Sequence, residues 1–264
     1  MEVTTRRSGW PRLYFDSIEH LLNYPDWIER LKADGTKKPI RMVMTRLETL
    51  EAPLHHAVEM FFTLAPHDLI ARILDIDRAE APHLRLIPWQ DLGTVTTARG
   101  SKASLNELCQ PDLLVEGRQV QVAVEIKARS KSSIEQVLKY AALTSLRPRS
   151  TATRKLVFLA PYETFAHLWA GKAHADASSL KNAARQHDSV DLDRKFRRFG
   201  TSLDEVKANL DGFHIIWKSV RDLRREVGDE LRRVTAEESS ASGEVYRKLL
   251  SGFEMELLRW QADK

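Results

Sequence analysis

The stretch that decides the fold is Pro111-Asp112-Leu113-Leu114-Val115-Glu116-Gly117-Arg118-Gln119-Val120-Gln121-Val122-Ala123-Val124-Glu125-Ile126-Lys127. Two runs rich in Val and Leu flank Glu116-Gly117-Arg118-Gln119, which reads as a tight turn with Gly117 supplying a positive φ. A two-residue loop at Gly117-Arg118 sets Val115 against Val120 and Asp112 against Ala123. Side chains alternate along a strand, so Leu113, Val115, Val120, Val122, Val124 and Ile126 share an apolar face. Asp112, Glu125 and Lys127 fall together on the other. In that register Glu125 is the diagonal neighbour of Asp112, with Cα atoms roughly 7–8 Å apart. Two carboxylates at that spacing can share one hard cation such as Mg²⁺, which takes oxygen ligands and keeps several waters. Lys127 projects from the same face about 6–7 Å further along the strand, where it can stabilise charge or help deprotonate a metal-activated water.

Working outward, Ile134–Leu146 reads as a helix, with Ser132 and Ser133 available as caps. Gln136 and Tyr140 lie one turn apart on it. Leu156–Leu159 is a short strand of buried type. The strand–helix–strand order over 120–159 favours a parallel pair. Upstream, a helix begins near Thr45, is broken by Pro66 and resumes over His67–Leu74. Leu84–Ile87, Thr94–Thr97, Leu113–Val115 and Val120–Lys127 read as strands. Residues 11–32 and 163–170 read as helical. The segments 201–234 and 243–261 read as amphipathic helices separated by a flexible stretch from Glu237 to Gly243.

This order of elements, with Asp112 then Glu125-Ile126-Lys127, resembles the PD-(D/E)XK, or restriction-endonuclease-like, nuclease superfamily. Gln136 and Tyr140 resemble the Gln-x-x-x-Tyr helix motif of its RecB-type branch. The resemblance implies an α/β fold, a central mixed sheet flanked by helices, with the nuclease-like core at 45–170. An N-terminal helical segment at 1–44 and a helical C-terminal extension at 171–264 would complete the chain. It further implies a metal-dependent nuclease hydrolysing DNA phosphodiester bonds, with Asp112 and Glu125 as ligands of Mg²⁺ (or Mn²⁺). The Ile126 backbone carbonyl would add a third ligand, and Lys127 would be the catalytic lysine. Gln136 and Tyr140 would position substrate or support the site. Family members often add an acid from the first core helix; Glu51, His55 and Glu59 form one stripe there, and Glu51 or Glu59 is the expected extra ligand.

Other readings stand beside these. Asp112, Glu125 and Lys127 would also suit a solvent-facing strand pair. Gln136 would suit a capping box with Ser133, and Tyr140 ordinary helix packing. A catalytically inactive nuclease-fold protein acting as a nucleic-acid-binding or assembly module is the alternative function. His187, Asp188, Asp191 and Asp193 read as a polar loop, and Cys109 as packing.

Composition is compatible with each. The chain has 264 residues, a formal net charge of +4 and a pI near 9.1. Nucleic acid, DNA more than RNA, is the expected partner. The single cysteine excludes an internal disulfide, and no apolar run approaches the roughly 20 residues of a membrane span. The expected location is the cytoplasm. Leu210, Phe213, Ile216, Trp217, Val220, Leu223 and Val227 permit a homodimer through the C-terminal helices, and the basic run Arg194–Arg198 permits phosphate contacts.

Overall fold

A computed structural model describes residues 51–87, 92–97, 100–127, 130–147, 153–237 and 241–262. The expected helices at 11–32 and 1–44 lie outside these residues. In chain order the elements are helices α1 (Glu51–Leu64) and α2 (His67–Ile73), then strands β1 (Arg85–Ile87), β2 (Thr94–Thr96), β3 (Lys102–Ser104), β4 (Leu113–Glu116) and β5 (Val120–Ile126). Helix α3 (Ile134–Leu146) and strand β6 (Thr153–Ala160) follow. After them come α4 (Ala177–Gln186), α5 (Val190–Arg198), α6 (Leu203–Ala208), strand β7 (Phe213–Ser219), α7 (Val220–Glu237) and α8 (Ala241–Ala262).

The protein is α/β. Its central sheet has five strands among the described residues, in the order β1-β4-β5-β6-β7, and β2 pairs with β3 separately. The sheet is mixed: β1, β4 and β5 are antiparallel neighbours, whereas β5, β6 and β7 run parallel. Every residue of β4 and β5 is buried. This follows from the run of β-branched side chains, which packs both faces of a central strand.

One face of the sheet, with Leu114, Ala123, Leu156 and Phe158, shares a core with Val137, Leu138, Tyr140 and Ala141 of α3. Leu180, Phe196 and Val206 of α4, α5 and α6 join the same core. Helix α3 starts where expected because Ser133 takes the Gln136 amide on its side chain, satisfying a donor the first turn leaves over.

Two compact units divide the chain. One runs Phe62–Leu223 and holds the sheet; the other joins the described residues up to Phe61 with those from Arg224 on. In the latter, Phe61 and Phe253 stack with ring centroids 4.0 Å apart. The sheet-bearing unit therefore extends past residue 170, the expected limit of the core.

Several expectations change. The hairpin turns at Arg118-Gln119, one residue later than expected, with the Gly117 amide on the Val120 carbonyl at 2.8 Å. The pairs become Val115↔Val122 and Leu113↔Val124. Gly117 does not have a positive φ. What it needs is room, since a Cβ there would lie 2.9 Å from Val120 Cγ1 and collide with Glu80.

Residues 213–219 form β7 inside the stretch read as helix 201–234. The stretch read as helix 163–170 is two short 3₁₀ turns, Phe165–Leu168 and Ala170–Lys172. Strand β3 had no counterpart in the reading. Asp191 and Asp193 belong to α5 rather than a loop, where Asp193 pairs with Arg197 and accepts from the Leu203 amide. Ala241 to Gly243 are helical. Among the described residues no helix is long and apolar enough to cross a membrane.

Candidate active site

The site lies at the C-terminal end of β5, in the unit Phe62–Leu223. The one-residue displacement of the turn slides one strand past the other by two residues and therefore keeps the faces. Continuing the observed pairing one step beyond Leu113↔Val124 places Asp112 directly opposite Glu125. Asp112 is half-buried, and its Oδ2 accepts the Ile126 amide at 2.6 Å. The backbone at Ile126 thus touches Asp112 through its N–H.

Glu125 is the hub. It is 5% exposed, and three side chains donate to it. Lys127 Nζ lies 2.7 Å from Oε1, to which Gln136 Nε2 also donates, and the Tyr140 hydroxyl donates to Oε2. Lys127 and Glu125 point the same way because they stand two residues apart at the strand end. Gln136 and Tyr140 reach the carboxylate together because they are one helical turn apart on α3. Lys127 is itself 8% exposed and Tyr140 only 1%.

These contacts show where each of the expected side chains lies. Glu125 and Lys127 are not a solvent-facing pair. Gln136 is capped through its backbone by Ser133, but its side chain serves Glu125. Tyr140 is packed, and its hydroxyl is also committed. Ser132, expected only as a cap, donates to Gln136 Oε1 at 3.2 Å and so orients the amide with Nε2 toward Glu125. No single-residue signal marks that role, which follows from the chain turning back between β5 and α3.

Burial first, and the facing Asp112 second, push the Glu125 carboxyl above its ordinary value; Lys127 and the Tyr140 hydroxyl act against that rise. Burial, with Cys109 and Glu125 nearby, also pushes the Tyr140 hydroxyl well above its usual range, so it remains a donor. Cys109 packs against the core that α3 shares with the sheet, and burial raises its thiol to about 12, in keeping with packing rather than nucleophilic chemistry.

The fit of a divalent cation rests on this carboxylate pair. Two facing acids, one of them buried and raised by the other's charge, are a donor set that a hard cation would relieve. Among the described residues no group of three or more His, Cys, Asp or Glu side chains gathers as a metal cage. Mg²⁺ characteristically needs only one or two carboxylates, with waters and substrate oxygens completing its shell. Of the expected first-helix ligands, Glu59 is an exposed position of α1 and belongs to the other compact unit. The Glu51 side chain lies outside the described residues.

Comparison with family models, with curated proteins and with solved structures finds no match to this chain.

Proposed function

We propose that this chain is a metal-dependent nuclease of restriction-endonuclease-like fold, near the RecB-type branch, hydrolysing DNA phosphodiester bonds. The observation that carries the reading is the convergence of Lys127, Gln136 and Tyr140 on Glu125, with Asp112 on the facing position. Asp112, Glu125 and the Ile126 carbonyl would hold Mg²⁺, or Mn²⁺ in its place, with waters and substrate oxygens completing its shell. When bound, the metal supplies a Lewis acid for the phosphate and a water of lowered pKa. Lys127 stabilises charge on the phosphate oxygens in the in-line transition state. Tyr140 and Gln136 fix the orientation of Glu125, so its geometry is set before substrate arrives. A cytoplasmic setting and pairing of two copies through the C-terminal helices accompany this reading.

The saturation of Glu125 by its own neighbours favours a second reading, a nuclease-fold module that binds nucleic acid without cutting it. One assay separates the two. Linear and circular, single- and double-stranded DNA are incubated with Mg²⁺, Mn²⁺ or chelator, using the wild type and Lys127→Ala. The nuclease reading expects metal-dependent cleavage that Lys127→Ala abolishes. Cleavage by the variant at the wild-type rate would discard the site, and binding without any cleavage would establish the module.

A further inference from the structure

The loop that follows β6 carries five rings in thirteen residues: Tyr162, Phe165, His167, Trp169 and His174. It lies beside the candidate site. Phe158, the β6 partner of Glu125, meets Trp169 edge-on with centroids 5.7 Å apart. Ser132, which orients Gln136, bridges to Trp169 through the backbone and donates its amide to the Leu168 carbonyl at 2.8 Å. The loop is therefore tied to the residues that hold Glu125.

Its rings divide into two layers. Trp169 is buried, and its Nε1–H has no acceptor among the described residues. Tyr162, Phe165, His167 and His174 are all partly exposed. Phe165 and His174 lie against Trp169, with centroids 5.7 Å and 5.2 Å away. Lys131 is exposed, its Nζ 4.3 Å from the Tyr162 ring centroid, and it donates to the His167 carbonyl at 2.6 Å. Lys172, at the far end of the loop, is exposed as well.

Partly exposed rings beside exposed ammonium groups suit a particular ligand chemistry. Planar bases stack on the rings while the cations meet the backbone phosphates. Paired bases inside a duplex offer no free face for this, so the arrangement selects unpaired ones.

We infer that Lys131, Tyr162, Phe165 and His167 form a stacking shelf for the unpaired bases of a single-stranded nucleic acid whose backbone leads to Asp112 and Glu125. This rests on the nuclease reading for the strand's destination. Its test does not, because binding is measured with divalent cations chelated, so that no strand is cut.

Fluorescence anisotropy with a labelled oligothymidylate and with a duplex of equal length compares the wild type, Tyr162→Leu and Tyr162→Phe. Leucine keeps apolar volume and removes the ring; phenylalanine keeps the ring. Tyr162→Leu is expected to weaken single-strand binding about tenfold, with Tyr162→Phe near wild type and duplex binding unmoved. Should Tyr162→Leu lose its circular dichroism spectrum, His167→Ala reads the same surface through a partly exposed ring. The shelf is refuted if the wild type binds single strand no more tightly than duplex, or if a folded ring-less variant binds like the wild type. Wild-type protein that binds single strands yet cuts nothing in Mg²⁺ would instead refute the nuclease reading and leave the shelf standing.

Discussion

The Ile126 amide donates to Asp112 Oδ2 at 2.6 Å, so the strand that carries Glu125 also holds the acid facing it. Position and charge at residue 112 can therefore be separated. Asp112→Asn keeps an oxygen acceptor for Ile126 and removes the charge. It is expected to fold normally, to lose cleavage and to lower the Glu125 titration midpoint, since the Asp112 charge is one of the causes of its rise. Asp112→Ala also strips the amide of its acceptor and should cost about 1–3 kcal/mol in urea unfolding. A carboxyl-carbon NMR titration reads the midpoint; an unmoved value in Asp112→Asn would show that the two acids do not sense each other.

Tyr140 gives the second test. Tyr140→Phe keeps the ring in the core and deletes only the hydroxyl, leaving Glu125 Oε2 without that donor. An unsatisfied buried acceptor costs about 1–3 kcal/mol, so the urea midpoint should fall by a corresponding amount with an unchanged slope. The Glu125 carboxyl should rise further, because the hydroxyl acts to lower it. Equal stability of the two proteins would make the contact incidental.

Much of this arrangement was legible in the sequence, for a reason particular to strands. Side chains alternate with period two, so the turn displacement to Arg118-Gln119 changed the partners of Asp112 without changing its face. Helix α3 was equally legible, from Ser133 at one end and its apolar spacing along the rest. Strand β7 was not. Phe213, Ile216, Trp217 and Val220 fall at helical spacing, and in a strand with partly buried residues on both faces there is no clean alternation to contradict it. The purpose of Gln136 was hidden differently. Its backbone N–H does donate to the Ser133 cap that the sequence suggested, and only the three-dimensional path of α3 shows its side chain turned to Glu125 instead.

The raised Glu125 carboxyl also has a sign in stability. In the unfolded chain this group titrates near the ordinary glutamate value of 4.5, and in the folded protein it titrates higher. Between the two values the folded state binds the extra proton, so stability falls as pH rises through that interval and levels off above it. Glu125→Gln removes the titration. The wild-type unfolding free energy minus that of Glu125→Gln, from urea curves at stepped pH, should therefore decline across the window starting near 4.5. A difference that grows with pH would mean the folded carboxyl is depressed and the burial argument wrong.

A divalent cation should reverse that behaviour, because it binds the deprotonated pair and competes with the proton on Glu125. Ligand that binds only the folded state stabilises it in proportion to the logarithm of its concentration over Kd, about 2.7 kcal/mol at a hundredfold excess. Added Mg²⁺ is thus expected to raise the melting temperature clearly at pH 8 and less at pH 5, where Glu125 holds its proton more often. Asp112→Asn, with half of the carboxylate pair removed, should show little of the shift at either pH. Differential scanning calorimetry at matched ionic strength, with Na⁺ in place of Mg²⁺ as the control, separates site binding from general screening of a basic surface. An equal Mg²⁺ shift in the wild type and in Asp112→Asn would locate the cation elsewhere on the chain and leave Asp112 and Glu125 as a structural pair.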